Sequence, residues 1–529
     1  TRASMRVQSL SIRPPSPLLT TESFGALGKD GDGTEREISA DRDIYSLSAS
    51  AALTVSPAPL AAFRTLASKL GDYPFSCTEQ RLSRAFPFAA ALLRPELEEE
   101  LLAEPGTGPE QRGQHAAMLV EEAVAGLRAA MNWDGAALWP GGEGVDFVTV
   151  YAGDFLMSLV EGGRGVPGDL LEQILRRLQR IVSQEPDSRE SARIRAYACW
   201  VLMRSGAIVT QDVERLHGWL EDNWNGWRQD VTASLVADCL AMLRLSDAAR
   251  ALMPAALAPV TDSDGYLNSA SCWALHSYIC SQDRWKGSAD VPERAKSAAA
   301  AMNEAVDRSL SGSADTISMA LTARALAGAF SAPASRTPVT LRCIGQVAGS
   351  APVLTVGGLN MLQAPGCRRF GVTPPADLEG LFWHLRVTGY DRTPSAAVSS
   401  GLEVRRRYLN EQGRAATSVR EGETVTVEIE VRSASRLNNV SVVDLLPGGL
   451  EPLLHQPRTA ADGSVAHSER REDRMLFFVE TGPDPLLLTY QARATIAGTF
   501  RIPALSAEAM YDPSFNASDP GGTLTVMPR

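Results

Sequence analysis

Between residues 56 and 330, apolar positions recur every three or four residues, the spacing that turns one side of a helix toward a core. "HAAMLVEEAVAGLRAAM", "DLLEQILRRLQRIVSQ", "SARIRAYACWVLMRSG", "DVTASLVADCLAMLRL" and "DTISMALTARALAGAF" all carry this pattern. Short breaks with Gly, Pro, Asp or Ser separate them, which predicts roughly eleven to thirteen helices of about 12–18 residues. Many combine an apolar stripe with a small-residue face. Repeated helical hairpins of this kind predict a solenoid closed into an α/α toroid rather than a four-helix bundle. Closure itself is not written in the sequence.

On both sides of this region the period drops to two. Residues 1–55 are rich in Ser and Thr, with extended pieces in "MRVQSLSI" and "DIYSLSASAALTVS". Pro14, Pro15, Pro17 and the "GKDGDG" stretch mark loops between them. From about residue 336, "TPVTLRCIGQVA" and "APVLTVGG" read as strands. "GLEVRRRYLN", "ETVTVEIEVRS", "NVSVVDLLP", "RMLFFVE", "LLLTYQARATIAGTFRIP" and "TLTVMP" follow with turn signals between them. That spacing predicts an antiparallel β-sandwich of ordinary domain size. The expected class is α+β multidomain: β-structure over 1–55, a helical insert over 56–335, returning β-structure over 336–398, and a sandwich over 399–529.

Composition narrows the function. The chain has 529 residues, 44% hydrophobic and 21% charged, with a net charge of −11. Two to four soluble globular domains are expected. A dispersed acidic balance argues against nucleic acid as the main partner, because that needs a basic footprint. No apolar run is long enough to span a bilayer as a helix. "TRASMRVQSL" has neither an apolar signal core nor an initiator Met, so the expectation is the interior of a longer chain.

Seven cysteines are scattered as Cys77, Cys199, Cys239, Cys272, Cys280, Cys343 and Cys367, with no CxxC and no zinc spacing. Cys199, Cys239, Cys272 and Cys280 sit in apolar helical contexts and read as small buried hydrophobes. Cys77 differs. In "GDYPFSCTEQRLSRAFPF" the run Ser76-Cys77-Thr78-Glu79 fits a capping box, with Ser76 as N-cap and Glu79 reaching back. Cys77 and Gln80 then stand three apart on a first helical turn, where side chains are neighbours and free N–H groups favour a thiolate. Attack of that sulfur on the Gln80 carboxamide, with loss of ammonia, would give an internal thioester able to acylate an amine or hydroxyl. A capped helix with one buried cysteine fits the same local spacing.

Other chemistry is thin. His115, His217, His276, His384, His455 and His467 fall in no matching motif, and a lone helical histidine is usually structural. The acidic "RPELEEELLAEPG" reads as a solvated helix face, and "DGDG" at 30–33 lacks the rest of a calcium loop. No metal and no cofactor is expected.

"YPFSCTEQ" followed by "RLSRAFPFAAALL" resembles the thioester segment of bacterial alpha-2-macroglobulins, with Phe75 and Ser76 replacing the usual Tyr and Gly. "MNWDGAALWPGGEGVDFVTVYAGDFL", "LFWHLRVTGYDRTP", "GLEVRRRYLNEQG", "DLLPGGLEP" and "AEAMYDPSFNASDPGGTLTV" extend the resemblance over essentially the whole chain. It implies a CUB-like β-domain interrupted by a helical thioester domain, then a C-terminal macroglobulin-like sandwich. It also implies shielding of the bond by aromatic residues: Tyr73 and Phe75 beside the motif, Met510 and Tyr511 from the last domain, and Trp139 in the "LWP" stretch.

The resulting expectation is the C-terminal part of a protease inhibitor rather than an enzyme. Its partners would be target proteases, acylated on lysine amines by Cys77–Gln80. The resemblance further implies a monomer at the periplasm or cell envelope, with membrane attachment only by a lipid anchor outside this chain. The alternative is an envelope scaffold or binding module of the same fold without a working thioester. An α/α-toroid enzyme would need paired acids or a metal set in a central cleft, and none stands out.

Overall fold

A computed structural model describes residues 14, 18–27, 34–40, 42–45, 48–56, 60–103, 108–260, 265–285, 291–310, 314–329, 339–345, 353–356, 359–374, 381–393, 396–453, 458–459, 465–512 and 514–529. The expected strand "MRVQSLSI", the loop residues Pro15 and Pro17, and "GKDGDG" lie outside the described residues. Two compact units form. One comprises residues 21–40 and 50–387; the other comprises 388–529 with short stretches of the first fifty residues.

The larger unit contains thirteen α-helices among its described residues. They are α1 (Leu60–Gly71), α2 (Thr78–Leu92), α3 (Glu98–Leu101), α4 (Pro109–Ala130), α5 (Asp146–Glu161), α6 (Gly168–Val182) and α7 (Arg189–Arg204). Then come α8 (Thr210–Asn223), α9 (Val231–Met242), α10 (Ser246–Leu252), α11 (Ser269–Cys280), α12 (Val291–Leu310) and α13 (Thr316–Ala329). Helix α2 packs on α5, α5 on α7, α7 on α9, α9 on α11, α11 on α13, and α13 returns to α2. The solenoid is therefore closed by α13 against α2, as an inner ring of six helices. Around it α4, α6, α8, α10, α12 and α1 pack on successive inner helices.

The residue patterns explain this division. Inner helices are buried nearly all round: Phe147–Leu159 of α5, Val231–Cys239 of α9, Ser269–Ile279 of α11 and Thr316–Ala327 of α13. Such helices read as apolar or small on every side. Outer helix α6 instead buries one stripe, Leu170, Ile174, Leu178 and Ile181, each contributing ~1.5–3 kcal/mol. Its other face carries Arg, Gln and Glu.

Two buried carboxylates inside the ring are well supplied with donors, as burial demands. Asp154 on α5 accepts from Tyr197 Oη and Arg204 of α7, and from Arg324 Nη1 of α13 at 2.5 Å. Asp238 on α9 accepts from the indole N–H groups of Trp200 and Trp285 at 2.7 and 2.6 Å.

Strands from before and after the helices pair with each other. β1 (Leu18–Leu27), β2 (Arg36–Ser39) and β3 (Ser50–Ser56) precede the toroid. A small hairpin, β4 (Met131–Asn132) and β5 (Gly135–Ala136), lies within it. β6 (Thr340–Cys343), β7 (Leu354–Val356), β8 (Leu359–Gln363), β9 (Arg369–Thr373) and β10 (Leu381–Tyr390) follow. One sheet runs β1-β10-β3-β8-β7 and a second β2-β9-β6. Register places Leu53 opposite Leu362 and Ile38 opposite Phe370, all buried. A Cys343–Cys367 disulfide ties the end of β6 to the turn before β9. The other five cysteines stand outside disulfides. Cys77, Cys199, Cys239 and Cys272 are buried, and Cys280 is only half-buried.

The second unit is a sandwich whose two main sheets are antiparallel, with a small third sheet of strands 418–420, 523–527 and 498–501. Strands 398–400, 516–519, 505–509, 437–445, 474–481 and 465–470 form one sheet in that order. Strands 402–409, 424–433, 486–494 and 450–452 form the other. In "TVTVEIEVRS", Val425, Val427, Ile429 and Val431 point into the core with Val440, Val442, Phe477 and Leu488, while alternate residues face outward.

Candidate functional site

The segment 73–80 enters helix α2 where the inner ring closes. Cys77 is the N-cap, with extended backbone at φ −63° and ψ 170°, and the helix begins at Thr78. This corrects the expected capping box by one position. Ser76 is not the cap, and Glu79 does not reach back to it. Gln80 does: Cys77 N–H donates to Gln80 Oε1 at 3.0 Å. The reason is that Glu79 has stronger partners inside the ring. Its carboxylate accepts from Ser83 Oγ at 2.5 Å and from Thr316 Oγ1 at 2.9 and 3.1 Å. Ser83 Oγ in turn lies 2.8 Å from Tyr151 Oη. Burial raises the Tyr151 phenol well above its ordinary range, with the Glu79 carboxylate acting in the same direction.

The pair is dry. Cys77 is 1% exposed, Gln80 and Glu79 0%. The Gln80 carboxamide is only half satisfied, because Nε2 is buried without a hydrogen-bond partner. An orphaned buried N–H donor costs ~1–3 kcal/mol.

Three further contacts fix the approach. Thr78 grips the Leu138 carbonyl through its N–H at 2.8 Å and its hydroxyl at 3.0 Å. Arg81 Nε donates to Ser76 O at 2.8 Å. Arg386 on β10 pairs with Asp72, just upstream of the segment. The Leu138 carbonyl belongs to the 131–145 loop, which the β4–β5 hairpin starts. Gly135 there holds φ +119°, a conformation that suits glycine.

The expected shielding residues divide into two groups. Tyr73 and Phe75 form an edge-to-face pair with ring centroids 5.5 Å apart, Phe75 buried and Tyr73 half-buried. Trp139 follows Leu138 in the loop that grips α2 and is half-buried. Met510 and Tyr511 belong to the other unit, at the end of strand 505–509. There Met510 is buried, its N–H donating to Asn439 O at 3.0 Å, and Tyr511 is half-buried.

Sequence reasoning missed Ser83, Tyr151, Thr316 and Leu138. Ser83 stands at i+4 from Glu79, a spacing visible in the sequence. Thr316 is 237 residues from Glu79, and only ring closure reveals it. His276 lies inside the toroid, bonded through Nδ1 to Ser234 Oγ at 2.9 Å and through Nε2 to Ser297 Oγ at 3.1 Å.

Residues 401–514 match the bacterial alpha-2-macroglobulin MG10 domain. Over the whole chain, an alpha-2-macroglobulin homolog of Yersinia pestis is 27% identical across 584 aligned residues, covering 100% of this chain and 28% of that protein. The alpha-2-macroglobulin of Rickettsia conorii is 25% identical over 97% of this chain and 27% of its own length. The chain thus spans little more than a quarter of these relatives. Among solved structures, native Escherichia coli alpha-2-macroglobulin from domain MG7 to the C-terminus has a TM-score of 0.77 at 21% identity, covering 98% of this chain and 83% of that one. A Salmonella alpha-2-macroglobulin reacted with methylamine has a TM-score of 0.76 at 22% identity, covering 98% and 34%. The fold agrees across both units, and the sequence likeness runs the length of the chain. The chain is thus similar, in sequence along its length and in fold, to the C-terminal part of bacterial alpha-2-macroglobulins.

Proposed function

We propose that this chain is the reactive part of a protease inhibitor and carries an internal thioester between Cys77 and Gln80. One observation carries the reading: Gln80 Oε1 is held 3.0 Å from the Cys77 N–H while Gln80 Nε2 is buried with no partner. A carboxamide is poorly served in that position. A thioester carbonyl, which has no N–H to satisfy, fits it.

The chemistry balances within the pair. Cys77 Sγ attacks Gln80 Cδ, the C–N bond breaks, and ammonia leaves with the thiol proton. The Cys77 N–H stabilises negative charge on Oε1 in the tetrahedral intermediate. A lysine amine of a protease then attacks the same carbon, the C–S bond breaks, and Cys77 regains a thiol. Burial keeps water from competing, and Tyr73, Phe75 and Trp139 extend the apolar cover. Met510 and Tyr511 belong to the same proposal as further shielding residues. Since the chain matches only about a quarter of its relatives, trapping of a protease is assigned to the whole protein. The CUB-like character of the split β-domain belongs to the same reading.

Location in the periplasm or envelope is supported by the Cys343–Cys367 disulfide, since such bonds persist in oxidising compartments. Anchoring by lipid outside this chain remains part of the proposal.

Intact mass before and after methylamine tests the thioester. The expected native species is about 17 Da below the sequence mass, from lost ammonia, and gains about 31 Da with methylamine. A native species at full sequence mass that takes up no methylamine favours the scaffold reading instead.

A further inference from the structure

We infer that Thr316 is a positioning residue for formation of the Cys77–Gln80 thioester, acting through Glu79. The inference rests on the thioester reading and adds the group that aims the glutamine.

Three consecutive residues of α2 point to three different anchors. Thr78 holds Leu138 O at 2.8 and 3.0 Å. Glu79 takes Thr316 Oγ1 at 2.9 and 3.1 Å and Ser83 Oγ at 2.5 Å. Gln80 meets the Cys77 N–H at 3.0 Å. Successive helical residues project about 100° apart, so fixing residue 79 fixes where residue 80 points. Rotation of α2 about its axis would carry Gln80 away from Cys77. The Thr316 bond to the buried Glu79 carboxylate prevents it.

Thr316 is itself rigidly placed. It is the first residue of α13, directly after Asp315. Asp315 accepts from Ser318 N at 2.8 Å, Ser318 Oγ at 2.6 Å and Asn268 Nδ2 at 2.5 Å. Asn268 caps α11 by accepting from Ala270 N and Ser271 N at 2.9 and 3.1 Å. The beginnings of two adjacent inner helices are thus locked together, and the Thr316 hydroxyl projects from that block onto Glu79. Ser83 alone cannot do this, since it lies on α2 and turns with it.

The test follows thioester formation in the 529-residue chain by intact mass with time, alongside thermal melting. Thr316→Val keeps volume and removes the donor. It is expected to melt close to wild type but accumulate the ammonia-free species about tenfold more slowly, as misaligned reacting groups do. Thr316→Ser is expected to restore the wild-type rate. Ser83→Ala, which leaves α13 untouched, is expected to slow formation less than Thr316→Val. If Thr316→Val does not fold, Glu79→Gln takes its place with the same predicted slowing. A Thr316→Val or, in its stead, Glu79→Gln protein that forms the species at the wild-type rate overturns the positioning role and leaves the thioester standing. A wild-type chain that never loses ammonia overturns both.

Discussion

Thr78 donates twice to the carbonyl of Leu138, by its backbone N–H at 2.8 Å and its hydroxyl at 3.0 Å. Proline is ordinarily well tolerated at a first helical position, where its missing N–H has no helical partner anyway. Here that N–H is in use. Thr78→Val should therefore cost ~0.5–1.5 kcal/mol, because the carbonyl keeps one donor. Thr78→Pro should cost more, ~1–3 kcal/mol, because the carbonyl loses both. Denaturant melts of the two variants check the order. Equal stabilities would show that the grip contributes nothing.

Thiol counting separates the two covalent states expected of this chain. Seven cysteines are present, and two are joined as Cys343–Cys367, which leaves five. A formed thioester occupies Cys77 as well. Alkylation of denatured, unreduced protein should label four cysteines before methylamine and five after it, the added label mapping to Cys77. Replacing both Cys343 and Cys367 by Ser should lower stability by ~2–5 kcal/mol without changing methylamine uptake.

Legibility in the sequence followed the range of the interactions involved. Period-two and helical patterns placed the strands and the helices because each is set by residues a few positions apart. Closure of the ring was not legible, since it depends on α13 meeting α2. The same distance hid Thr316, and with it the reason Glu79 turns inward rather than capping the helix. Local rules favoured Ser76 as the cap, since serine is a better cap than cysteine. Tertiary bonds to Glu79 shifted the helix start by one residue and gave the reaching-back role to Gln80. The disulfide was equally hidden: Cys343 and Cys367 are 24 residues apart, with no motif to pair them.

Arg324 and Asp154 cross the inner ring as a pair that is 1% and 0% exposed. Burial alone would raise the Asp154 pKa, but the guanidiniums of Arg324 and Arg204 override it and hold the carboxyl below its usual value. Arg324 also lies over the Tyr278 ring at 4.3 Å. Removing Arg324 leaves the buried Asp154 carboxylate with Arg204 and Tyr197 alone. Arg324→Met is expected to cost ~3–5 kcal/mol. Because the folded pKa of Asp154 is depressed, its stabilisation is present above about pH 4 and is lost as pH falls further. Chemical denaturation of Asp154→Asn against wild type checks this: the gap should be widest near neutrality and narrow below about pH 4.

His276 also lowers stability as pH falls, but in a higher window and because the folded state disfavours its charge. Burial pushes its pKa down from 6.5 to about 4, so the folded protein keeps it neutral between its two serine partners. The unfolded chain binds its proton near pH 6.5. Between those values the unfolded state carries more protons, so stability falls as pH drops from about 6.5 toward 4, by up to ~3 kcal/mol from this residue. Above about pH 6.5 the residue adds no pH dependence. His276→Gln keeps polar atoms facing Ser234 and Ser297 but does not titrate. Its stability should therefore vary less than that of wild type between pH 7 and 4.5, as read from urea midpoints at each pH. Parallel curves for the two proteins across that window would rule out the buried neutral histidine as the source.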